Sequence, residues 1–215
     1  VKDMQNNALP TVTLADIRAV YPHLPAEGPT PGEMRHPAIL VFVHDPEDVA
    51  NAAGQSFLAQ NNDPTGRLRQ PLAVAADMTQ ADYKIFDLTP PERLTLPCSE
   101  RDLALALSYG MVTVEQGVDF VTLFALGDSS NAYKGKIASF DDIATYGALN
   151  VAAAYGAFIA ASMARIPVCA PAPLVDCLNR IAESEGITDT NLQPIEGPLT
   201  EVALDIVRRK AIAAM

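Results

Sequence analysis

Residues 38–43 read AILVFV, a short run that is apolar from end to end. Such a run is typical of a strand that is buried on both faces of a parallel sheet. Three further runs are predicted to be strands: 83–88 (YKIFDL), 119–125 (DFVTLFA) and 166–170 (IPVCA). The sequence therefore predicts four strands.

Helical signals separate these strands. Helices are predicted at 14–20 after the N-cap Thr13, 46–60, 71–80, 99–116, 139–165 with a break near Gly147, 171–185 before Gly186, and from Pro198 onward. Alternation of strands and helices predicts an α/β fold: a three-layer, Rossmann-like parallel sheet with helices on both faces. The N- and C-terminal segments are expected to add a small helical part.

Proline content and pattern divide the chain into three parts. Residues 1–37 are Pro-rich and are predicted to form an N-terminal helix and a linker. Residues 38–190 carry the α/β core domain. Residues 191–215 are predicted to form a loop and a last helix that packs with the N-terminal segment.

Composition limits the classes of partner. The 215 residues carry a formal net charge of −11, which disfavours nucleic acid and anionic membrane as partners. The uncharged run 143–164 has the length of a bilayer span, but its Ala and Gly content predicts closely packed core helices instead. Three cysteines without a CxxC pair predict reduced thiols and a cytoplasmic location, and the scattered histidines predict no metal.

Ligands of parallel sheets bind at the carboxyl ends of strands, which directs attention to four segments. One of them, Asp87 with residues 88–90, is interpreted as structural, because no Gly-rich GxGxxG motif follows the first strand. His44 and Asp45 follow the first strand; they can orient a substrate, although Asp45 is equally explained as a helix cap. Glu196 and Gly197 precede the last helix and read as a solvated loop when taken alone. The third strand runs into a segment that fits either an anion nest or an ordinary turn, namely Gly127, Asp128, Ser129, Ser130 and Asn131.

Taken in order, the segments resemble the nicotinate-nucleotide:dimethylbenzimidazole phosphoribosyltransferase family over most of residues 38–215. The resemblance rests on AILVFVHDPEDVA, YKIFDLTP, DFVTLFALGDSSNA, IATYGALNVAAAYGAFIAASMARIPV and QPIEGPLTEVALDIVRRKAIAAM. The resemblance lies more in the order of the segments and in their hydrophobic pattern than in identical residues.

The resemblance implies transfer of phosphoribose from nicotinate mononucleotide to an aromatic base, a step of cobamide lower-ligand synthesis, without a cofactor. It implies that Glu196 is the general base, and that substrate or phosphate is bound by His44, Asp45, Gly197 and residues 127–131. It also implies a homodimer, with the Ala-rich region 143–164 or the terminal helices as the contact face.

The chain departs from the family at ligand-facing positions. The Gly-rich phosphate loop is shortened, Pro46 replaces a glycine, and 170–172 (APA) replaces an Asp-Gly-Phe segment. A strand before Glu196 is expected to be lost. Three hypotheses stay open: a divergent transferase, a catalytically inactive family member that acts as a small-molecule-binding or partner subunit, and a generic doubly wound nucleotide-binding protein with a regulatory role.

Overall fold

The computed structural model describes residues 12–25, 36–44, 82–88, 95–126, 135–188, 190 and 192–195. In these residues five strands form one sheet, and every neighbouring pair is parallel. The strands are β1 (Pro37–Val43), β2 (Asp82–Asp87), β3 (Phe120–Leu126), β4 (Val168–Pro171) and β5 (Leu192–Ile195). The first four coincide with the predicted strands, so the prediction of an α/β fold with a parallel sheet is confirmed.

The strand order in the sheet is β2-β1-β3-β4-β5. This is one of the two common orders of doubly wound parallel sheets. The chain first moves outward from β1 to β2 and then crosses back to β3 on the other side of β1. The reversal makes the carboxyl ends of β1 and β3 the topological switch point, where such sheets bind ligands.

The fifth strand corrects two expectations. The sequence predicted only four strands and the loss of a strand before Glu196, but β5 pairs with β4 from Leu192 to Ile195. Its sequence LQPI falls in the segment predicted as a loop; it is short and contains Pro194, which weakens the strand signal. A proline is tolerated in an edge strand, since the N–H that it lacks can face away from the ladder, and β5 is an edge strand. The sheet thus extends beyond residue 190, into the segment predicted as a loop.

Five α-helices lie among the described residues. They are α1 (Leu14–Arg18), α2 (Glu100–Val112), α3 (Phe140–Tyr146), α4 (Leu149–Met163) and α5 (Ala172–Ser184), with a 3-10 helix at Tyr21–His23. The helices predicted at 46–60, at 71–80 and after Pro198 lie outside the described residues. None of the described helices is both long and apolar enough to span a bilayer.

The helix ends follow from local chemistry. Thr13 caps α1 as predicted, since its hydroxyl accepts from the Asp16 N–H and the Asp16 carboxylate accepts from the Thr13 N–H. Gly147 separates α3 from α4 with a φ of 65°, in the left-handed region that favours glycine. Gly186 follows α5 with a φ of 80°. The predicted breaks at these two glycines are confirmed.

Both faces of the central strands are buried. Residues of even number in β1, such as Leu40 and Phe42, join a single apolar cluster with α2, α4 and α5. Ile39, Val41 and Phe124 point to the opposite face and are at most 3% exposed. A strand that is buried on both sides has the wholly apolar sequence from which β1 was predicted.

Two glycines allow α2 and α4 to pack backbone against backbone. A Cβ on Gly110 of α2 would lie 1.8 Å from the carbonyl oxygen of Ala153 in α4. A Cβ on Gly156 of α4 would lie 2.0 Å from the carbonyl oxygen of Leu107 in α2. The contact is reciprocal, because each helix offers a glycine to the other's backbone. The closely packed core helix predicted for the Ala-rich run is therefore confirmed.

The N-terminal helix α1 is fixed to the core by one ion pair and by apolar packing. Arg18 donates from Nε to Oε2 of Glu185 at 2.6 Å and from Nη2 to Oε1 at 3.0 Å. The guanidinium group also lies 5.7 Å from the ring centroid of Phe140. Leu14 and Ile17 belong to the apolar cluster. These contacts connect α1 to α3 and to the end of α5.

Candidate functional site

The carboxyl ends of β1, β2 and β3 lie at the same level of the sheet. Val43 is in register with Asp87 on one side and with Leu126 on the other. His44 comes directly after Val43, at the switch point, and is only 1% exposed. The structure therefore places His44 where a ligand of this topology is expected, with its ring nitrogens shielded from solvent.

The same edge also holds the ends of β4 and β5. Pro171 is in register with Ile195, the last described residue before Glu196. Adjacent strands are about 4.8 Å apart, so the end of β5 lies roughly 10 Å from β3 and roughly 14 Å from β1 across the sheet. The segments that follow β1, β3 and β5 thus leave the sheet at one edge.

The N-termini of α2, α4 and α5 are expected at this edge, since α2 and α5 each follow the carboxyl end of a strand and α4 leads back to the amino end of β4. Helix α2 begins at Ser99 with a capping box to Asp102, and Glu100 adds a second carboxylate in the first turn. Helix α5 begins at Pro171 with Pro173 in its first turn, so two of its N–H groups are missing. Carboxylates repel phosphate, and prolines donate no hydrogen bond to it.

The start of α4 does not offer a phosphate site either. The Val151 N–H donates to Oδ1 of Asn150 at 2.9 Å, and the Ala152 N–H donates to the Ala148 carbonyl at 3.1 Å. The Leu149 N–H is taken by the Gly147 carbonyl at 2.8 Å. The first N–H groups of α4 are therefore taken by acceptors within the chain, whereas the N-termini of α2 and α5 carry acids and prolines.

The end of β4 carries no acidic side chain. Ala170 is fully buried and Pro171 follows it directly into α5. Below them, Cys169 Sγ and Thr122 Oγ1 are 3.2 Å apart in a buried cross-strand pair. The described residues at the end of β4 are therefore apolar and include no carboxylate that could accept a proton in catalysis.

The structure describes one of the residues predicted for the site. His44 lies at the switch point, whereas Asp45, residues 127–131, Glu196 and Gly197 lie outside the described residues. They follow β1, β3 and β5 in the chain, and the strands bring the starting points of these three segments to one edge. The roles assigned to these residues stay predictions.

Asn150 is a polar residue near this edge that was not predicted as a site residue. Asn150 is 1% exposed and lies in the first turn of α4, toward the carboxyl edge. Its side chain closes the helix start through Val151, which is a structural role. A lone amide in an Ala-rich run is the sequence signal that points to it.

A second polar pair lies inside the helical layer. The hydroxyls of Tyr21 and Tyr155 are buried and interact with each other, but neither has a well-aligned hydrogen bond among the described residues. Burial raises the pKa of Tyr21 to about 12 and raises the pKa of Tyr155 further. Phe140 packs edge-on against Tyr155 with ring centroids 5.5 Å apart. The pair belongs to the core and not to the sheet edge.

No described group of three or more His, Cys, Asp or Glu residues is arranged to hold a metal ion. No protein-family model matches the chain, and no curated protein matches it. The resemblance to the phosphoribosyltransferase family therefore stays a prediction from the sequence.

Proposed function

We propose that the chain is a divergent phosphoribosyltransferase that moves phosphoribose from nicotinate mononucleotide to an aromatic base. The observation that carries the proposal is the strand order, which brings the ends of β1, β3 and β5 to one edge with the switch point at β1 and β3. The three segments with candidate ligand-binding residues all follow these strands. A mononucleotide is long enough to bridge from β3 to β5.

In this proposal the segment after β3 holds the phosphate or ribose through Gly127, Ser129, Ser130 and Asn131. The helix N-termini described above support this assignment because they are closed by acids, by prolines or by their own hydrogen bonds. Glu196, directly after β5, takes the proton from the base as its nitrogen attacks C1 of the ribose and nicotinate leaves. His44 supports the ligand from the switch point.

The reaction is tested by incubating the protein with nicotinate mononucleotide and a panel of benzimidazoles and phenols, with release of nicotinate followed by chromatography. We expect turnover with at least one acceptor, and a loss of about 100-fold or more for Glu196→Gln, because a positioned general base contributes that much. Glu201→Gln in the same terminal region is the control and should keep full activity. Absence of turnover with every acceptor would contradict the transferase proposal.

A second candidate is a binding subunit without catalysis. It is favoured by the end of β4, where Ala170 and Pro171 supply no carboxylate, and by the acids and prolines at the helix N-termini. Calorimetry with nicotinate mononucleotide, nicotinate and benzimidazoles separates the two candidates. Binding with no nicotinate release identifies the binding subunit, and binding with release identifies the enzyme.

We further propose a three-layer arrangement, with helices on the face of the sheet that carries Ile39, Val41 and Phe124. The burial of these side chains supports it, and so does the rule that a parallel connection crosses over one face in a right-handed sense. The buried thiols of Cys98, Cys169 and Cys177 fit a cytoplasmic location.

A further inference from the structure

Residues 12–24, which include α1 and the 3-10 helix, form a strap whose backbone hydrogen bonds stay within the strap. The Ile17 N–H donates to the Thr13 carbonyl, and the Leu24 N–H donates to the Tyr21 carbonyl. Among the described residues, no backbone hydrogen bond joins the strap to the sheet or to another helix. The strap can therefore leave the other described elements without breaking any of their backbone hydrogen bonds.

Side chains attach the strap to the core of the described fold. Leu14 and Ile17 are buried in the apolar cluster, whereas four further apolar side chains are only partly buried against it, namely Val12, Val20, Tyr21 and Leu24. Arg18 adds its ion pair with Glu185, in which the Arg18 side chain is 50% exposed and the Glu185 side chain is 10% exposed. A segment with few buried apolar contacts opens at a lower free energy than a core helix does.

The buried tyrosine pair opposes docking of the strap. In the closed fold the Tyr21 hydroxyl is buried beside the Tyr155 hydroxyl of α4, and neither has a well-aligned hydrogen bond among the described residues. A buried hydroxyl without a good hydrogen bond costs free energy, and water satisfies the hydroxyl once it is exposed. Docking is therefore favoured by the apolar side chains and by Arg18, and it is disfavoured by the two hydroxyls.

We propose that the strap opens and closes as one unit in the native protein, while the sheet and helices α2 to α5 stay folded. The ion pair of Arg18 with Glu185 holds the strap closed, and the buried hydroxyls of Tyr21 and Tyr155 favour the open state. Helix α1 has 5 residues and melts when it detaches, because a helix this short is not stable alone in water. This inference goes beyond the proposed reaction and does not depend on it.

Opening uncovers an apolar seat that the strap occupies in the closed state. The guanidinium group of Arg18 lies over the ring of Phe140, which is the first residue of α3 and is 3% exposed. Tyr21 lies beside Tyr155 of α4, and α1 packs on α2. The seat is thus built from three helices, and closure of the strap hides apolar side chains that the open state exposes to solvent.

Native-state hydrogen exchange of the full chain, followed by NMR, tests whether the strap opens as a unit. Its hydrogen-bonded amides should share one opening constant, larger by about 100-fold or more than that of the amides in β1 and α4. These amides belong to Ile17, Ala19, Val20, His23 and Leu24. Exchange as slow as that of β1 and α4, or a separate opening constant for each of these amides, would overturn the proposal.

Two variants with effects of opposite sign test the contacts that set the opening constant. Glu185→Gln removes the partner charge of Arg18 and should raise the opening constant of the strap about three- to tenfold, with α4 unchanged. Tyr155→Phe removes a hydroxyl from the seat and should lower the constant about three- to tenfold. Glu115→Gln is the matched control, since it removes the carboxylate of an ion pair with Lys84 outside the strap, and it should leave the strap unchanged.

The two variants also separate opening of the strap from global unfolding. A Glu185→Gln chain in which the strap is not accelerated relative to α4 would contradict the role of the ion pair and overturn the proposal. So would a Tyr155→Phe chain in which the strap exchanges no more slowly than in the wild type.

Discussion

At the residue scale, the buried tyrosine pair shows how a core accommodates polar atoms. Tyr155 is fully buried, between Phe140 and Phe158 and near Tyr21, and its hydroxyl has no well-aligned partner among the described residues. A buried hydroxyl without a good hydrogen bond costs free energy, about 1–3 kcal/mol in typical cases. Its ring contributes packing, whereas its hydroxyl contributes little at neutral pH.

The tyrosine pair makes stability depend on alkaline pH. Both tyrosines have folded-state pKa values above their ordinary value of 10.0, chiefly because burial disfavours the phenolate. Above pH 10 the unfolded tyrosines lose protons while the folded ones keep theirs. Stability is therefore present below pH 10 and is lost as the pH rises through about 12, the value for Tyr21.

We expect Tyr155→Phe to be neutral or stabilising by about 1 kcal/mol at pH 7, because it removes a poorly bonded hydroxyl but keeps the ring. Between pH 10 and about 12 the variant should lose less stability than the wild type. Urea unfolding at several pH values measures both effects. Tyr109→Phe is the control, since Tyr109 is 42% exposed and the change should leave the stability at pH 7 nearly unchanged. A loss of several kcal/mol at pH 7 would contradict this description of the pair.

At the scale of elements, the packing of α2 on α4 depends on two backbone contacts that only glycine allows. An alanine in a helix is normally preferred over glycine by about 1 kcal/mol. At Gly110 and Gly156 this preference is outweighed, because a Cβ would come within 2.0 Å of a backbone oxygen on the other helix. Backbone atoms cannot rotate away, so the two helices would have to separate.

Gly110→Ala and Gly156→Ala are therefore each expected to destabilise the chain by about 2–3 kcal/mol or more, as overpacking of a core does. Chemical denaturation measures the change in the free energy of unfolding. The control is Gly135→Ala, because a Cβ there meets no atom within 4 Å and the change should be nearly neutral. Equal effects at positions 110 and 135 would show that the close helix contact does not exist.

Some of the strands and helix ends could be predicted from the sequence and others could not, and each case has a physical reason. The central strands β1 and β3 could be predicted because burial on both faces leaves short apolar runs. The helix breaks could be predicted because Gly147 and Gly186 adopt positive φ. β5 could not, because an edge strand tolerates Pro194 and its pairing with β4 is set by tertiary contact. Helix α2 was predicted to continue to residue 116 but ends at Val112, with Thr113 as its C-cap, whose hydroxyl donates to the Gly110 carbonyl.

At the scale of the whole molecule, the strand order brings segments that are distant in sequence to one edge of the sheet. The sequence could predict that His44, residues 127–131 and Glu196 follow strands or precede a helix. The sequence could not predict the distances between the strand ends from which these segments leave the sheet. The residues of a strand do not determine which strands lie beside it. The order β2-β1-β3-β4-β5 supplies these distances and places His44 at the switch point.

The chemistry of the site could be predicted only through the family resemblance, since loop residues such as Ser129 and Ser130 are what any turn uses. The acids and prolines at the N-termini of α2 and α5 support the proposal that a phosphate binds at the segment after β3 rather than at these helix ends. The proposed function therefore depends on one spatial condition: the nucleotide must bind across the carboxyl ends of β1, β3 and β5.

A crystal structure of the protein with nicotinate mononucleotide tests that claim most directly, whether or not the chain turns the nucleotide over. We expect the phosphate to lie at the segment that follows Leu126 and the ribose C1 to face the Glu196 carboxylate. A nucleotide bound at the amino ends of the strands, or no nucleotide at saturating concentration, would contradict it.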